Sequence, residues 1–252
     1  MMVPRRILSC VVLTVLINLG FAQQTTATAD VLLTTSSVHP ALVPTKRCLP
    51  GDRFTRLHES FLRRRTEGPI GVVFMGDSIT ERWTSAPEVW AQHFGKYDPA
   101  NFGVSGDRTQ HVLWRIENGE LDGIHPKALV LMIGTNNSNS DTSEPIVQAI
   151  TKIVGATRAK LPDTKILLLG IFPRGDKNDN LDNKAMATIR EVNPEIAKLA
   201  DGQKVFYLDI GGSFIVQGKI PREFMPDQLH LSPRGYQVWA EAIDAQLSEL
   251  MK

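Results

Sequence analysis

Short apolar runs alternate along this chain with longer segments whose apolar residues return every three or four positions. The runs predict buried strands at Ile70 to Gly76, Asn101 to Val104, Ala128 to Ile133 (bounded by Pro126 and Gly134), Lys165 to Phe172, and Lys204 to Leu208. The periodic segments predict helices. Arg53 to Thr66 places Phe54, Leu57, Phe61 and Leu62 on one face, and Gln110 to Asn118 places Val112, Leu113 and Ile116 before Gly119 stops it. Glu144 to Leu161 aligns Ile146, Ile150, Ile153 and Val154, Asn183 to Leu199 is helical, and Ser232 to Met251 aligns Tyr236, Trp239, Ala240, Ile243 and Leu247. Glu81 to Phe94 reads as a short helical connection broken at Pro87. Strand and helix in alternation, five times over, predict one three-layer α/β/α sandwich around a five-stranded parallel sheet.

Every candidate polar motif in this scheme sits after a strand, and the carboxyl edge of an open parallel sheet is where ligands bind. After the first strand comes Gly76-Asp77-Ser78, with the serine on a strand-to-helix turn. A serine there exposes its hydroxyl at the sheet edge and has its own N–H at a helix start, where free donors favour developing negative charge. Taken alone, Asp77 and Ser78 could simply cap a helix. The second strand ends in Ser105-Gly106-Asp107, the third in Gly134-Thr135-Asn136-Asn137, and Asp227-Gln228-Leu229-His230 precedes the last helix.

Acyl transfer needs a nucleophile, a base, a group that orients the base, and donors for the oxyanion. Ser78, His230 and Asp227 supply the first three; Gly106, whose backbone N–H can approach closely for want of a Cβ, and Asn136, with its side-chain NH2, supply donors. Each has a plain structural reading, as a cap, a turn or a packed ring, and His58, His93, His111 and His125 are read that way. Asp107 is read as a helix cap. Four complementary groups at four sites on one sheet edge are not what capping alone produces.

Composition narrows the alternatives. The 252 residues carry 28 Lys and Arg against 27 Asp and Glu, a net charge of +1 that offers no field for nucleic acid, and Arg63-Arg64-Arg65 reads as a solvated helix end. There is no His-Glu-x-x-His, paired-cysteine motif, Walker loop or Gly-x-Gly-x-x-Gly, so no metal and no cofactor is expected. The absence of Gly-x-Ser-x-Gly argues against the nucleophile elbow of the α/β-hydrolases. At the amino end, Arg5-Arg6, the apolar run Ile7 to Leu19 and Gly20-Phe21-Ala22 read as a secretory signal over residues 1–22, with an uncleaved anchor as the alternative. Residues 23–51, rich in Thr, Ser, Ala and Pro, read as a flexible leader, and the folded domain is expected over 52–252. Loss of the signal leaves Cys48 as the one thiol, so no disulfide within the chain is expected.

The four motifs resemble the sequence blocks of the SGNH (GDSL) hydrolases. That resemblance implies Ser78 as nucleophile, Asp227 and His230 as the rest of a triad, and the Ser78 N–H, Gly106 and Asn136 as oxyanion donors on a flavodoxin-like α/β/α fold. Asn101-Phe102-Gly103, His111-Val112-Leu113-Trp114-Arg115, Asn118-Gly119-Glu120-Leu121 and Pro173-Arg174-Gly175 are similar to the branch of intracellular platelet-activating factor acetylhydrolase catalytic subunits, which remove acetyl groups. Two departures stand out: the exported amino end, and Ser105 where that branch tends to carry glycine. The expected partner is a small-molecule or polysaccharide ester in a secreted or periplasmic setting, with no nucleic acid and no membrane beyond the signal segment; a homodimer is left open. A lysophospholipase-like or thioesterase-like lipid hydrolase and a non-catalytic secreted binding protein stand as alternatives. Trp83, Trp90 and Trp114, near the motifs in sequence, would restrict the acyl group to acetyl if they packed at the site, and would say nothing about it as core residues.

Overall fold

The computed structural model describes residues 38–48 and 50–252. The expected signal at 1–22 lies outside the described residues. Five parallel strands, β1 (Val72–Gly76), β2 (Pro99–Gly103), β3 (Ala128–Met132), β4 (Lys165–Leu169) and β5 (Val205–Leu208), form one sheet in the order β2-β1-β3-β4-β5. All residues of β1 and β3 are buried, because both sheet faces are covered. Side chains alternate across a strand, so Val73 and Met75 join one core while Val72 and Phe74 join the other.

The first core packs the sheet against α1 (Arg53–Arg64), α4 (Thr109–Glu117), α5 (Ser143–Lys160) and α6 (Lys184–Ala197). The second packs it against α3 (Pro87–Phe94) and α7 (Pro233–Leu250), with a short helix α2 (Ser78–Glu81) leading off β1. Trp83, Trp239, Tyr236, Phe74 and Phe94 interlock in this second core, with Trp83 and Tyr236 centroids 4.5 Å apart. Truncating one such ring to alanine removes about 3–5 kcal/mol of stability. Local chemistry sets the helix starts: Asn183 accepts from Met186 N at 3.0 Å ahead of α6, and Ser232 accepts from Gly235 N at 3.1 Å ahead of α7, where Pro233 takes the first position.

Three sequence expectations change here. Residues 38–48, expected to be part of a flexible leader, pack on the domain. Ala41 is buried, Thr45 N donates to Gln110 O at 3.0 Å, Thr109 Oγ1 donates to Ala41 O at 2.9 Å, and Lys152 Nζ donates to Leu42 O at 3.1 Å. The segment holds too few apolar residues to show a period, and its anchors are backbone groups that composition does not reveal. Second, β4 ends at Leu169 rather than Phe172, because the Asn193 side chain takes over from the ladder, accepting from Ile171 N at 2.9 Å and donating to Ile171 O at 3.0 Å. Third, Asp107 does not cap α4; Arg108 holds the cap position, and the Asp107 carboxylate is buried against Arg115.

Candidate active site

The order β2-β1-β3 sets the site. β1 pairs with β2 on one side and β3 on the other, with Gly76 opposite both Gly103 and Met132, so the segments leaving the three strands emerge side by side. This is the point at which the chain switches direction across the sheet, where a crevice opens. Those segments carry Ser78, Gly106 and Asn136. A Cβ at Gly103 would collide with the backbone of Thr80 and Glu81, so glycine lets α2 lie directly on β2.

Ser78 is the first residue of α2, and Asp77 before it caps the helix by accepting from Ile79 N at 2.9 Å. The serine itself does not cap. Its Oγ lies 2.9 Å from His230 Nε2, and His230 Nδ1 lies 2.7 Å from Asp227 Oδ2. The turn that makes this pairing possible has Gln228 in the left-handed region, φ 62°, with its buried side chain donating to Ile220 O at 3.1 Å. The backbone then curls so that Asp227 Oδ1 accepts from Leu229 N at 3.1 Å and His230 N at 2.7 Å, leaving Oδ2 for the imidazole. Burial works to raise the Asp227 carboxyl, but the hydrogen bonds from the His230 ring and backbone outweigh it and hold the group below the usual carboxylate range. With its side chain half exposed, Asp227 adds orientation to the ring more than Coulomb energy.

Three donors lie on the segments that leave β1, β2 and β3. The Ser78 N–H sits at a helix start, where no carbonyl of the helix can reach it. Gly106 has φ 78°, a left-handed conformation suited to glycine, and its N–H donates to nothing among the described residues. Asn136 spends one Nδ2 hydrogen on Asp107 O at 2.9 Å, which ties it to the Gly106 loop and leaves the second hydrogen free. The structure therefore brings Ser78, His230 and Asp227 into one hydrogen-bonded chain and joins Asn136 to the Gly106 loop.

Several supporting residues were not assigned roles from sequence. Arg174, just after β4, donates through Nη1 to Thr135 O at 2.9 Å and Thr135 Oγ1 at 3.3 Å, and its charge acts on both Asp77 and Asp227. Arg115 is fully buried. It donates from Nε to Asp107 Oδ2 at 2.9 Å, from Nη1 to Phe102 O at 2.9 Å and to Glu120, and from Nη2 to Gly76 O at 3.2 Å. One guanidinium thus fastens the ends of β1 and β2 and the loop bearing Gly106. Burial pushes the Asp107 carboxyl up to about 7 against the pull of Arg115, and it pushes Asp77 up to about 7 against its bond to Ile79 N and the charge of Arg174. Position after a strand was the signal for Arg174; for Arg115 there was only its place in a motif string.

The tryptophans pack as core residues. Trp83 and Trp90 belong to the second core around Phe74, and Trp114 packs on Phe54 and His58 against the first core on the opposite face of the sheet, so their packing gives no support to a limit on acyl length. His58 faces Glu120 at 3.3 Å and His111 Nδ1 accepts from Arg108 N at 3.0 Å, which agrees with their reading as packed residues.

Residues 74–238 match the model of the GDSL-like lipase/acylhydrolase family. The chain is also 36% identical over 217 residues to the human platelet-activating factor acetylhydrolase IB subunit alpha1, covering 84% of this chain and 91% of the human one. This chain belongs to the GDSL-like lipase/acylhydrolase family, and it is an ester hydrolase of that family. Among solved structures, a GDSL-like lipase from Bacteroides thetaiotaomicron superposes with a TM-score of 0.62 at 20% identity, covering 76% of this chain and 97% of its own. A carbohydrate acetylesterase from Sinorhizobium meliloti superposes with a TM-score of 0.57 at 19% identity, covering 72% of this chain and 99% of its own. These two likenesses establish the shared α/β/α fold.

Proposed function

We propose that the protein is an exported serine esterase that removes short acyl groups, acetyl above all, from carbohydrates or other small extracellular esters. The observation that carries this reading is the chain Ser78 Oγ, His230 Nε2, Nδ1, Asp227 Oδ2, with contacts of 2.9 and 2.7 Å. In the first half-reaction His230 takes the Ser78 proton as Oγ attacks the ester carbonyl carbon. The carbonyl oxygen becomes an oxyanion facing the N–H groups of Ser78 and Gly106 and the Asn136 amide. Collapse of this intermediate expels the alcohol, which takes the proton from His230, and leaves acyl-Ser78. Water, deprotonated by the same imidazole, then attacks the acyl carbon and releases the acid.

The preference for acetyl draws its support from the acetylhydrolase relatives, since the tryptophans give none. Export rests on the amino-terminal pattern of residues 1–22. A carbohydrate ester is favoured by the exported setting, and a carbohydrate acetylesterase shares the fold. The test is a panel of acetyl, butyryl and octanoyl nitrophenyl esters. Acetyl is expected to exceed octanoyl by more than about tenfold in kcat/KM, equivalent to about 1.4 kcal/mol. A profile peaking at eight carbons would favour a lipid acyl hydrolase, and no turnover by folded protein would favour a binding role.

A further inference from the structure

Gly106 is free to turn about its own backbone, so something must hold its N–H toward the oxyanion. A trans peptide is planar with its C=O and N–H on opposite sides, and no described bond is cis, so whatever holds Ser105 C=O also aims Gly106 N–H. Among the described residues, the side chain that grips this carbonyl is Arg47, through Nη1. We propose that Arg47 is a positioning residue that locks the Ser105–Gly106 peptide in its donating orientation, an inference that rests on the reading of Gly106 as an oxyanion donor.

The geometry around Arg47 fits that task. Its guanidinium lies directly against Gly106, where a Cβ would fit only if the arginine side chain moved away. Nη1 stands 4.0 Å from Asp107 Oδ1, a buried carboxylate oxygen with no hydrogen-bond partner, which draws the cation to this spot. The neighbouring peptide is held from the other side, as Ser105 N donates to Glu81 Oε2 at 2.5 Å and Glu81 pairs with Arg53 of α1. Arg47 itself is delivered by residues 38–48, anchored on α4 and α5 by the bonds of Ala41, Leu42 and Thr45. A cation on the carbonyl oxygen also polarises the amide, so Gly106 N–H becomes a stronger donor. Arg47 precedes residues 74–238, the span matched by the family model, so the device lies outside the shared motifs.

Wild type, Arg47→Ala, Arg47→Lys and Asn136→Ala should be compared on p-nitrophenyl acetate, with melting temperatures measured alongside. Arg47→Ala is expected to lower kcat about tenfold or more while KM stays within about twofold, since the peptide keeps its chemistry and loses only its orientation. Arg47→Lys should fall between, and millimolar guanidinium ion should restore part of the Arg47→Ala rate. A wild-type kcat in Arg47→Ala, or a loss that follows KM or melting temperature and shows no rescue, would overturn the proposal while Asn136→Ala still reports an impaired oxyanion site. A wild type that turns over no ester would overturn the proposal together with the reading of Gly106 on which it rests.

Discussion

Ser78 Oγ and His230 Nε2 stand 2.9 Å apart although 152 residues separate them in sequence. The sheet order accounts for the meeting. β1 lies between β2 and β3, so its exit turn sits beside the segments leaving those two strands, and the segment that runs from β5 to α7 reaches it through His230. Tyr236 in the first turn of α7 donates its hydroxyl to Ile79 O at 2.7 Å, fastening the helix that follows His230 to the helix that begins with Ser78.

Removing the imidazole should be worse than disarming its partner. His230→Ala leaves Ser78 with no base, whereas Asp227→Asn keeps an oxygen for the backbone N–H groups of Leu229 and His230 but turns an N–H toward Nδ1. The ring is then biased to the tautomer that donates to Ser78 rather than accepting from it. Steady-state kinetics should show both variants impaired in kcat, with Asp227→Asn the milder. Equal or reversed losses would give the carboxylate a role beyond orientation.

Asn136→Ala removes the amide that the proposed mechanism sets against the oxyanion, and with it the tie to Asp107 O. Turnover should drop by about a hundredfold or more, some 3 kcal/mol of transition-state stabilisation, while KM changes little. A change confined to KM would move Asn136 from the oxyanion to ground-state binding.

The layers, the alternation of strand and helix along the chain and the three residues that meet in the Ser78–His230–Asp227 hydrogen-bonded chain were legible because each rests on local pattern: apolar runs for β1 and β3, and polar motifs at the ends of elements. What sequence hid was long-range. Arg115 looks like an ordinary helical cation until Gly76, Phe102, Asp107 and Glu120 close around it. Asp107 follows a glycine at a helix start and so imitates a cap, and Arg47 lies in a Pro-rich stretch with no periodicity of its own. The tryptophans stayed open for the same reason: nearness to Ser78 along the chain does not tell which face of the sheet an indole packs on.

Arg115→Met tests the buried network. It strands the carboxylates of Asp107 and Glu120, both fully buried, without their cation. Urea unfolding should show a loss of about 3–5 kcal/mol. A loss under about 1 kcal/mol would mean that the Arg115 network adds little to the fold.

Asp77 gives the fold a dependence on pH. Burial raises its carboxyl from 3.8 to about 7, so the folded state binds a proton that the unfolded state has already released between those values. Its contribution is therefore complete below about pH 4 and is lost as pH rises through about 7. Asp77→Asn keeps an oxygen for Ile79 N and removes the ionisation. The melting temperature of the variant relative to wild type should rise between pH 4 and pH 8, and a constant difference across that range would assign the pH response to other groups.

The central claim is that Ser78 carries the acyl group. Treatment with a serine-directed organophosphorus reagent, followed by peptide mapping in a mass spectrometer, tests it in one measurement. One adduct per chain on the peptide containing Ser78, formed in step with the loss of ester hydrolysis, is the predicted result. Full inactivation with the adduct on another residue, or an unmodified Ser78 in protein that has lost its activity, would contradict it.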